Sequence, residues 1–239
     1  MTPEKLVEEL KTACPKKLKS VVLYGSAAAG DHTDKGSDYN VLVLAEDLGV
    51  ETLDAFSKSA AAWSKAGNPA PLMFTQDRLK QSTDVFPIEL LDIRECHKIL
   101  YGEDLVSDLE IGTENLRLEI EHELRGSLIK LRQSYLLTHG KPKAVADLMV
   151  KSLSTFLVLF RASLRLYENE IPQKKFQALE KLGTHLSFDP SVFKTVQQLK
   201  DGTKKPKDCK IEDLFSTYLS TIECVIDAVD TEIHKGVKS

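Results

Sequence analysis

The sequence predicts an α+β chain: a mixed β-sheet domain with helices, followed by an all-α antiparallel helical bundle. Three observations lead there. Two short apolar runs bounded by turn residues, Val21–Tyr24 and Val41–Leu44, read as buried strands. An amphipathic helical pattern over Glu51–Lys65 separates the second run from a third, Pro71–Thr75. From about Thr113 onward strand patterning stops and only helical periodicity remains. The boundary is expected at residue 108, with 1–108 the α/β domain and 109–239 the bundle.

Thr2 can cap a first helix that has Pro3 in its opening turn and Glu4 and Glu8 near its N-terminal end. Leu6, Leu10 and Cys14 share one face of it, and Pro15 stops it. Ser20–Tyr24 is a short strand, residues 26–30 allow one helical turn, and Asp31–Gly36 is a turn-rich polar loop. The unbroken apolar run in Asn40–Leu44 suggests a strand covered on both faces. The helix over 51–65 ends at Gly67 and Pro69. Gln76–Ser82 is a short helix or loop. Phe86–Ile93 reads as a fourth strand with Pro87 near its start, and Arg94–Leu100 as a connector helix. In the second half, helices are expected over Asn115–Thr138, Pro142–Asn169, Gln173–Leu182, Pro190–Leu199 and Lys210–His234. The second of these is apolar enough to be the central member of a bundle. Gly202–Asp208 is a basic loop.

The composition of the 239 residues, 42% apolar and 28% charged, is that of a soluble globular protein. A net charge of −4 argues against a nucleic-acid binder held by a generally basic surface. Cys14, Cys96, Cys209 and Cys224 form neither a Cys-x-x-Cys pair nor a Cys/His cluster with zinc spacing, and read as free thiols in a reducing cytosol. The charged N-terminus has no signal-peptide core, and Leu153–Phe160 is far shorter than a membrane span. A cytoplasmic protein with no membrane partner is expected.

The chemistry concentrates where the first strand ends. Gly25 permits a tight turn and close backbone approach to a ligand. Ser26 adds a hydroxyl and an N–H suited to phosphate oxygens. Asp38 opens the second strand, and Asn40, two positions on, shares its face. Two such oxygen side chains can hold Mg²⁺ through a triphosphate.

At these residues the chain resembles the nucleotidyltransferase superfamily, which includes polymerase-β-like, aminoglycoside and minimal bacterial nucleotidyltransferases. The resemblance rests on Tyr24-Gly25-Ser26, the small residues Ala28 to Gly30, a loop of eleven residues, and Ser37-Asp38-Tyr39-Asn40-Val41. It covers residues 19 to about 104. It implies a mixed sheet of five or fewer strands, NTP as cosubstrate, two Mg²⁺ ions, and transfer of a nucleoside monophosphate to a hydroxyl or amine. It assigns phosphate contacts to Gly25, Ser26 and Ser37, and metal ligation to Asp38 and Asn40. Two positions depart from the family pattern. Asn40 stands where the second carboxylate belongs, and the strand that usually carries the third, Pro71–Thr75, has no acid. Read as a strand, Phe86–Ile93 points Glu89 and Asp92 to opposite faces. Glu89 lies deeper and is preferred as substitute acid and catalytic base; the alternative is that both pair with Arg94 or Lys98.

Arg132 and His139 resemble the Arg-x(4–6)-His element of a helical nuclease family, with Gln133 departing from it; His139 also suits a helix C-terminus. Arg161 and Arg165 either face a triphosphate or pair with Glu119, Glu121 or Glu123. Lys204, Lys205 and Lys207 read as a solvated loop, and Trp63 with Phe56 as core. His97 and His122 read as structural. Three functions follow. The chain is a nucleotidyltransferase acting on a small-molecule or protein acceptor, a degenerate module binding a nucleotide or partner, or an assembly partner that self-associates through its bundle.

Overall fold

The computed structural model describes residues 1–28 and 38–231, for Ser26 the backbone only. The expected loop over 31–36, Ser37, and the end of the last helix lie outside the described residues. The chain divides into two compact units, Met1–Leu116 and Arg117–Ser239. That division falls eight residues beyond the expected 108, at the start of a long helix.

In the first unit, α1 (Pro3–Ala13) begins as its sequence dictates: Thr2 accepts from the Lys5 N–H, and Pro3 occupies the first turn, where its missing donor costs nothing. β1 (Leu18–Tyr24) follows, then a single 3₁₀ turn, Gly25–Ala27. β2 (Asn40–Ala45), α2 (Val50–Lys65), β3 (Leu72–Phe74) and α3 (Gln76–Gln81) come next. Among the described residues four strands make one sheet in the order β3-β2-β1-β4. β1 is antiparallel to both its neighbours and β2 is parallel to β3, so the sheet is mixed.

The segment 86–102 inverts the expectation. Phe86–Ile93 is not a strand: α4 runs from Pro87 to Glu95. Nor is 94–100 a helix: β4 runs from His97 to Gly102. Pro87 fits the first helical position, where an orphan N–H is not missed. Ile88 with Leu91, and Leu90 with Ile93, are three apart and all four are buried, a broad helical face. An apolar run this short satisfies both periodicities, and packing decides between them. One consequence is that Glu89 and Asp92, three apart on a helix, are neighbours and not opposed.

Both faces of the sheet are covered. On one, Leu6, Val7 and Leu10 of α1 and Phe56 and Trp63 of α2 pack on Val21, Leu23, Val41 and Val43. Trp63 is fully buried, donates its Nε1–H to Pro69 O at 2.9 Å, and lies against Tyr39. On the other face Val22, Leu42 and Leu44 meet Leu79 of α3, Leu90 and Ile93 of α4, and Val106 and Leu109 beyond β4. A bulge in β4 turns both Leu100 and Tyr101 toward the α1 side while Ile99 faces α4. β4 ends on Gly102, whose φ is +78°.

Asp104 fastens the turn after β4. Its carboxylate accepts from the Ser107 hydroxyl (2.6 Å), from the Val106 and Ser107 N–H groups (3.0 Å each), and faces His97 Nε2 at 3.4 Å. These donors, Ser107 first, hold its pKa well below the usual carboxylate range. A depressed carboxylate stabilises the fold above its unfolded pKa, about 4, and loses that contribution as pH falls toward the folded value. Asp104→Asn is expected to lower stability by about 1 kcal/mol at pH 7, since half-exposed charges are screened. The gap between mutant and parent, read by denaturant titration, should close below about pH 4.

The second unit is helical: α5 (Thr113–Leu136), α6 (Pro142–Leu164), α7 (Lys175–Leu186), α8 (Ser191–Lys200) and α9 (Ile211–Thr231). α6 packs against α7, α8 and α9. Its Phe156 and Phe160 join Phe193 of α8 and Tyr218 of α9 in an aromatic cluster. Burial raises the Tyr218 pKa, and its hydroxyl meets Ser152 at 3.1 Å. α5 lies antiparallel to α9: Arg125 pairs with Asp230, Arg132 with Glu223, and Tyr135 stacks on Phe215.

Candidate functional site

The site is built at the end of β1. Tyr24, its last residue, faces Asn40, the first of β2, on one side and His97, the first of β4, on the other. The chain then turns at Gly25, with φ +76°, a conformation costly to any residue with a Cβ. The Gly25 N–H donates to Cys96 O at 3.2 Å, and Ala28 N–H donates back to Gly25 O at 3.0 Å. The turn is thus tied to the start of β4 and closed on itself. A Cβ placed on Gly25 would lie 3.5 Å from Asn40 Nδ2. Asn40 therefore reaches the Gly-Ser turn across the strand pair, with ordinary van der Waals room.

Tyr39 fixes the orientation of β2 at this end. Its N–H donates to Asn68 Oδ1 at 3.0 Å and its ring sits 6.1 Å from Trp63, in the α2-side core. Strand alternation turns the next residue, Asn40, to the opposite, α4 side. Asp38 is exposed, two residues before. Tyr24 also packs on the α4 side, beside Leu90 and Ile93. Burial, and then the charge of Glu89, push the Tyr24 hydroxyl above its ordinary pKa. Glu89, exposed on the first turn of α4, is thus within electrostatic reach of the end of β1.

The structure gathers Gly25, Tyr24 and Asn40 at one end of the sheet, with Asp38 adjoining and the Glu89 charge felt by Tyr24. Ser37 lies outside the described residues. Among the described residues no three His, Cys, Asp or Glu side chains converge as a metal-holding group. Mg²⁺ at nucleotide sites is usually held by one or two carboxylates, with phosphates and water completing the shell. Asp38 offers one carboxylate and Asn40 an uncharged amide oxygen. They do not supply the acids for two ions.

Two neighbours escape the motif, and Tyr24, though in it, is assigned no role by it. Cys96 and His97 are hidden in a segment that reads as helical. His97 Nδ1 lies 3.1 Å from both Ile93 O and Arg94 O, and since carbonyls only accept, that nitrogen carries the proton. With Nε2 toward Asp104, His97 joins the end of α4 to the turn after β4, a structural role.

Candidates in the second unit are otherwise engaged or exposed. Arg132 pairs with Glu223, and His139, with φ +53°, stands exposed past the end of α5. Arg161, only 7% exposed, donates from Nε to Pro172 O (3.0 Å) and from Nη2 to Gln173 Oε1 (3.1 Å). It therefore anchors the segment between α6 and α7. Glu121 is taken by Arg117 and Arg125. The four cysteines are half-buried and outside disulfides, and among the described residues no helix is long and apolar enough to cross a membrane.

No family model and no curated protein sequence matches this chain. A solved structure of spectinomycin adenyltransferase from Enterococcus faecialis, with ATP and spectinomycin, is similar to it along the whole length. The TM-score is 0.56, with 11% identity, over 98% of this chain and 100% of that one. A toxin-antitoxin structure with AMP-PNP aligns at a TM-score of 0.30 and 20% identity, over 43% of this chain and 76% of that one, too loose a likeness to bear on the fold. The fold is that of the adenyltransferase: a nucleotidyltransferase-like α+β unit followed by helices.

Proposed function

We propose that the first unit binds a nucleoside triphosphate at the end of β1 and transfers its nucleoside monophosphate to a hydroxyl or amine of a separate acceptor. The observation that carries this reading is the reach of Asn40 to Gly25, which joins the Gly-Ser turn to the strand that Asp38 precedes. Gly25 would let phosphate approach the turn and the Ser26 N–H would receive its oxygens, with Ser37 a further contact on the loop side. Asp38 and the Asn40 amide oxygen would hold one Mg²⁺, which would neutralise phosphate charge. Glu89 would take the acceptor proton as the acceptor oxygen or nitrogen bonds to the α-phosphorus and pyrophosphate departs. The likeness to a fold that holds ATP in the adenyltransferase makes ATP the first nucleotide to test.

Calorimetry with ATP, GTP, CTP and UTP, each with and without Mg²⁺, tests the binding half. Binding of at least one nucleotide that tightens with Mg²⁺ and is lost in Asp38→Ala is expected. Absence of all binding would sink the proposal and favour an assembly role for the chain.

A specific residue also supports a second reading, a nucleotide-binding module without turnover. Asn40 offers an uncharged oxygen where a second charge would offset the dication. Asn40→Asp discriminates, because it adds that charge beside the turn without changing side-chain size. Tighter Mg²⁺ binding, by about tenfold, is expected in the presence of nucleotide. Pyrophosphate release by the unmodified protein with a panel of hydroxyl and amine acceptors marks an enzyme. Release only after Asn40→Asp marks the module.

A further inference from the structure

The second unit holds a groove that the nucleotide chemistry does not use. It runs along the opening turns of α6 and has a volume of ≈ 750 Å³. Its apolar lining comes from Ala146 and Val150 on one face of α6 and from Leu199 at the end of α8. Its lining charges are Lys143 on α6 and Lys205 and Lys207 on the opposite wall, against one carboxylate, Asp147. That wall is ordered by local hydrogen bonds: Lys205 N–H donates to the Asp208 side chain, at Oδ2, at 3.1 Å, and Cys209 N–H to Pro206 O at 3.2 Å. The three lysines are exposed and, among the described residues, none sits in an ion pair. In a chain of net charge −4, a groove with three cations to one anion is a local reversal of sign.

Size selects the class of ligand. The α6 wall spans Pro142 to Val150, about 12 Å at the helical rise of roughly 1.5 Å per residue. The volume lies within the range of about 300–1,000 Å³ typical of small-molecule sites. A stable protein partner would need about 800 Å² of surface on each side, more than so short a groove offers. We propose that this groove binds a small amphipathic anion, its apolar body against Ala146, Val150 and Leu199 and its carboxylate or phosphate among Lys143, Lys205 and Lys207. The proposal is independent of nucleotide transfer by the first unit.

Cys209, half-buried, also lines the groove and gives the readout. The rate of alkylation of Cys209 by N-ethylmaleimide, located by mass spectrometry in the full chain, is measured with and without millimolar octanoate. Octanoate is expected to slow it at least fivefold. Octanamide, which has the body without the charge, and inorganic phosphate, which has the charge without the body, should each leave it within twofold. In a chain carrying Lys143→Glu, Lys205→Glu and Lys207→Glu, with helical content checked by circular dichroism, the protection by octanoate should vanish. If that chain does not fold, the three lysines are replaced by Gln, and the same loss is expected. Four results would overturn the proposal: no protection by octanoate, equal protection by octanamide or phosphate, protection unchanged in the lysine variant, or protection by an acidic amphipathic peptide in place of octanoate. The last would assign the groove to a protein partner.

Discussion

Glu89→Gln is expected to lower nucleotidyl transfer about a thousandfold while Mg²⁺·ATP binds within about twofold of the parent. Removing a positioned base costs roughly 10²- to 10⁴-fold, and a thousandfold loss corresponds to about 4 kcal/mol of transition-state stabilisation. The substitution keeps the shape of the side chain and removes its charge and basicity. Glu89 is exposed on the first turn of α4, where a surface change typically moves stability by less than about 0.5 kcal/mol. A fall in rate therefore reads chemistry and not unfolding. The check is pyrophosphate release under saturating nucleotide, beside calorimetry of nucleotide binding. An unchanged rate would remove Glu89 from the reaction. Loss of binding with loss of rate would place it with the nucleotide and not with the acceptor. Tyr24→Phe is the companion measurement, since Tyr24 shares the field of Glu89.

Gly102→Ala should be the most damaging single methyl group in the first unit. At φ +78° a Cβ would stand 1.9 Å from Lys19 O, 2.9 Å from Lys19 C and 3.1 Å from Ser20 Cα. All three are backbone atoms of β1, so no side chain can swing aside. β4 would have to leave β1 at this end, taking with it the bond from the buried Ser20 hydroxyl to Glu103 O at 2.8 Å. A loss of about 3–5 kcal/mol is expected, the size reserved for backbone clash combined with left-handed strain. Gly67→Ala is the control. Gly67 has φ +93° and nothing within 4 Å, so it should lose only the strain of about 1–2 kcal/mol. Urea unfolding followed by fluorescence reads both, because the single tryptophan, Trp63, reports the first unit alone. Equal effects of the two substitutions would show that β4 stands off β1 at this end.

Much of this molecule is legible in its sequence, for stated physical reasons. Val21 to Tyr24 and Val41 to Leu44 read as buried strands because their short apolar runs are rich in β-branched valine and the first ends on a Gly-Ser turn, and both are strands. The spacing of Phe56 and Trp63 placed both in the core, where they are. α6 was readable as a central helix because its second half, from Leu153 to Phe160, is apolar over more than one face. The failures share one cause. FPIELLDI satisfies two periodicities, and the choice of helix comes from burial of Ile88, Leu90, Leu91 and Ile93, which local sequence does not encode. That error hid β4, and with it Cys96 and His97 at the edge of the site. At the site the Gly-Ser turn and Asn40 were readable as neighbours, whereas the approach of α4 to Tyr24 required the fold.

Among the described residues β4 is an edge strand, paired on one side only, and the residue before it supplies the carbonyl that holds the Gly25 N–H. The turn offered to phosphate is therefore fastened to one of the least protected parts of the sheet. Its fluctuations should follow local fraying of that edge, which costs far less than unfolding the unit. Amide hydrogen exchange would show this as matched protection at Gly25 and along β4, well below that of the central pairing of β1 with β2. A ligand that settles on the turn would then slow exchange along β4 as well, so occupancy could be followed from a strand that need not touch the ligand.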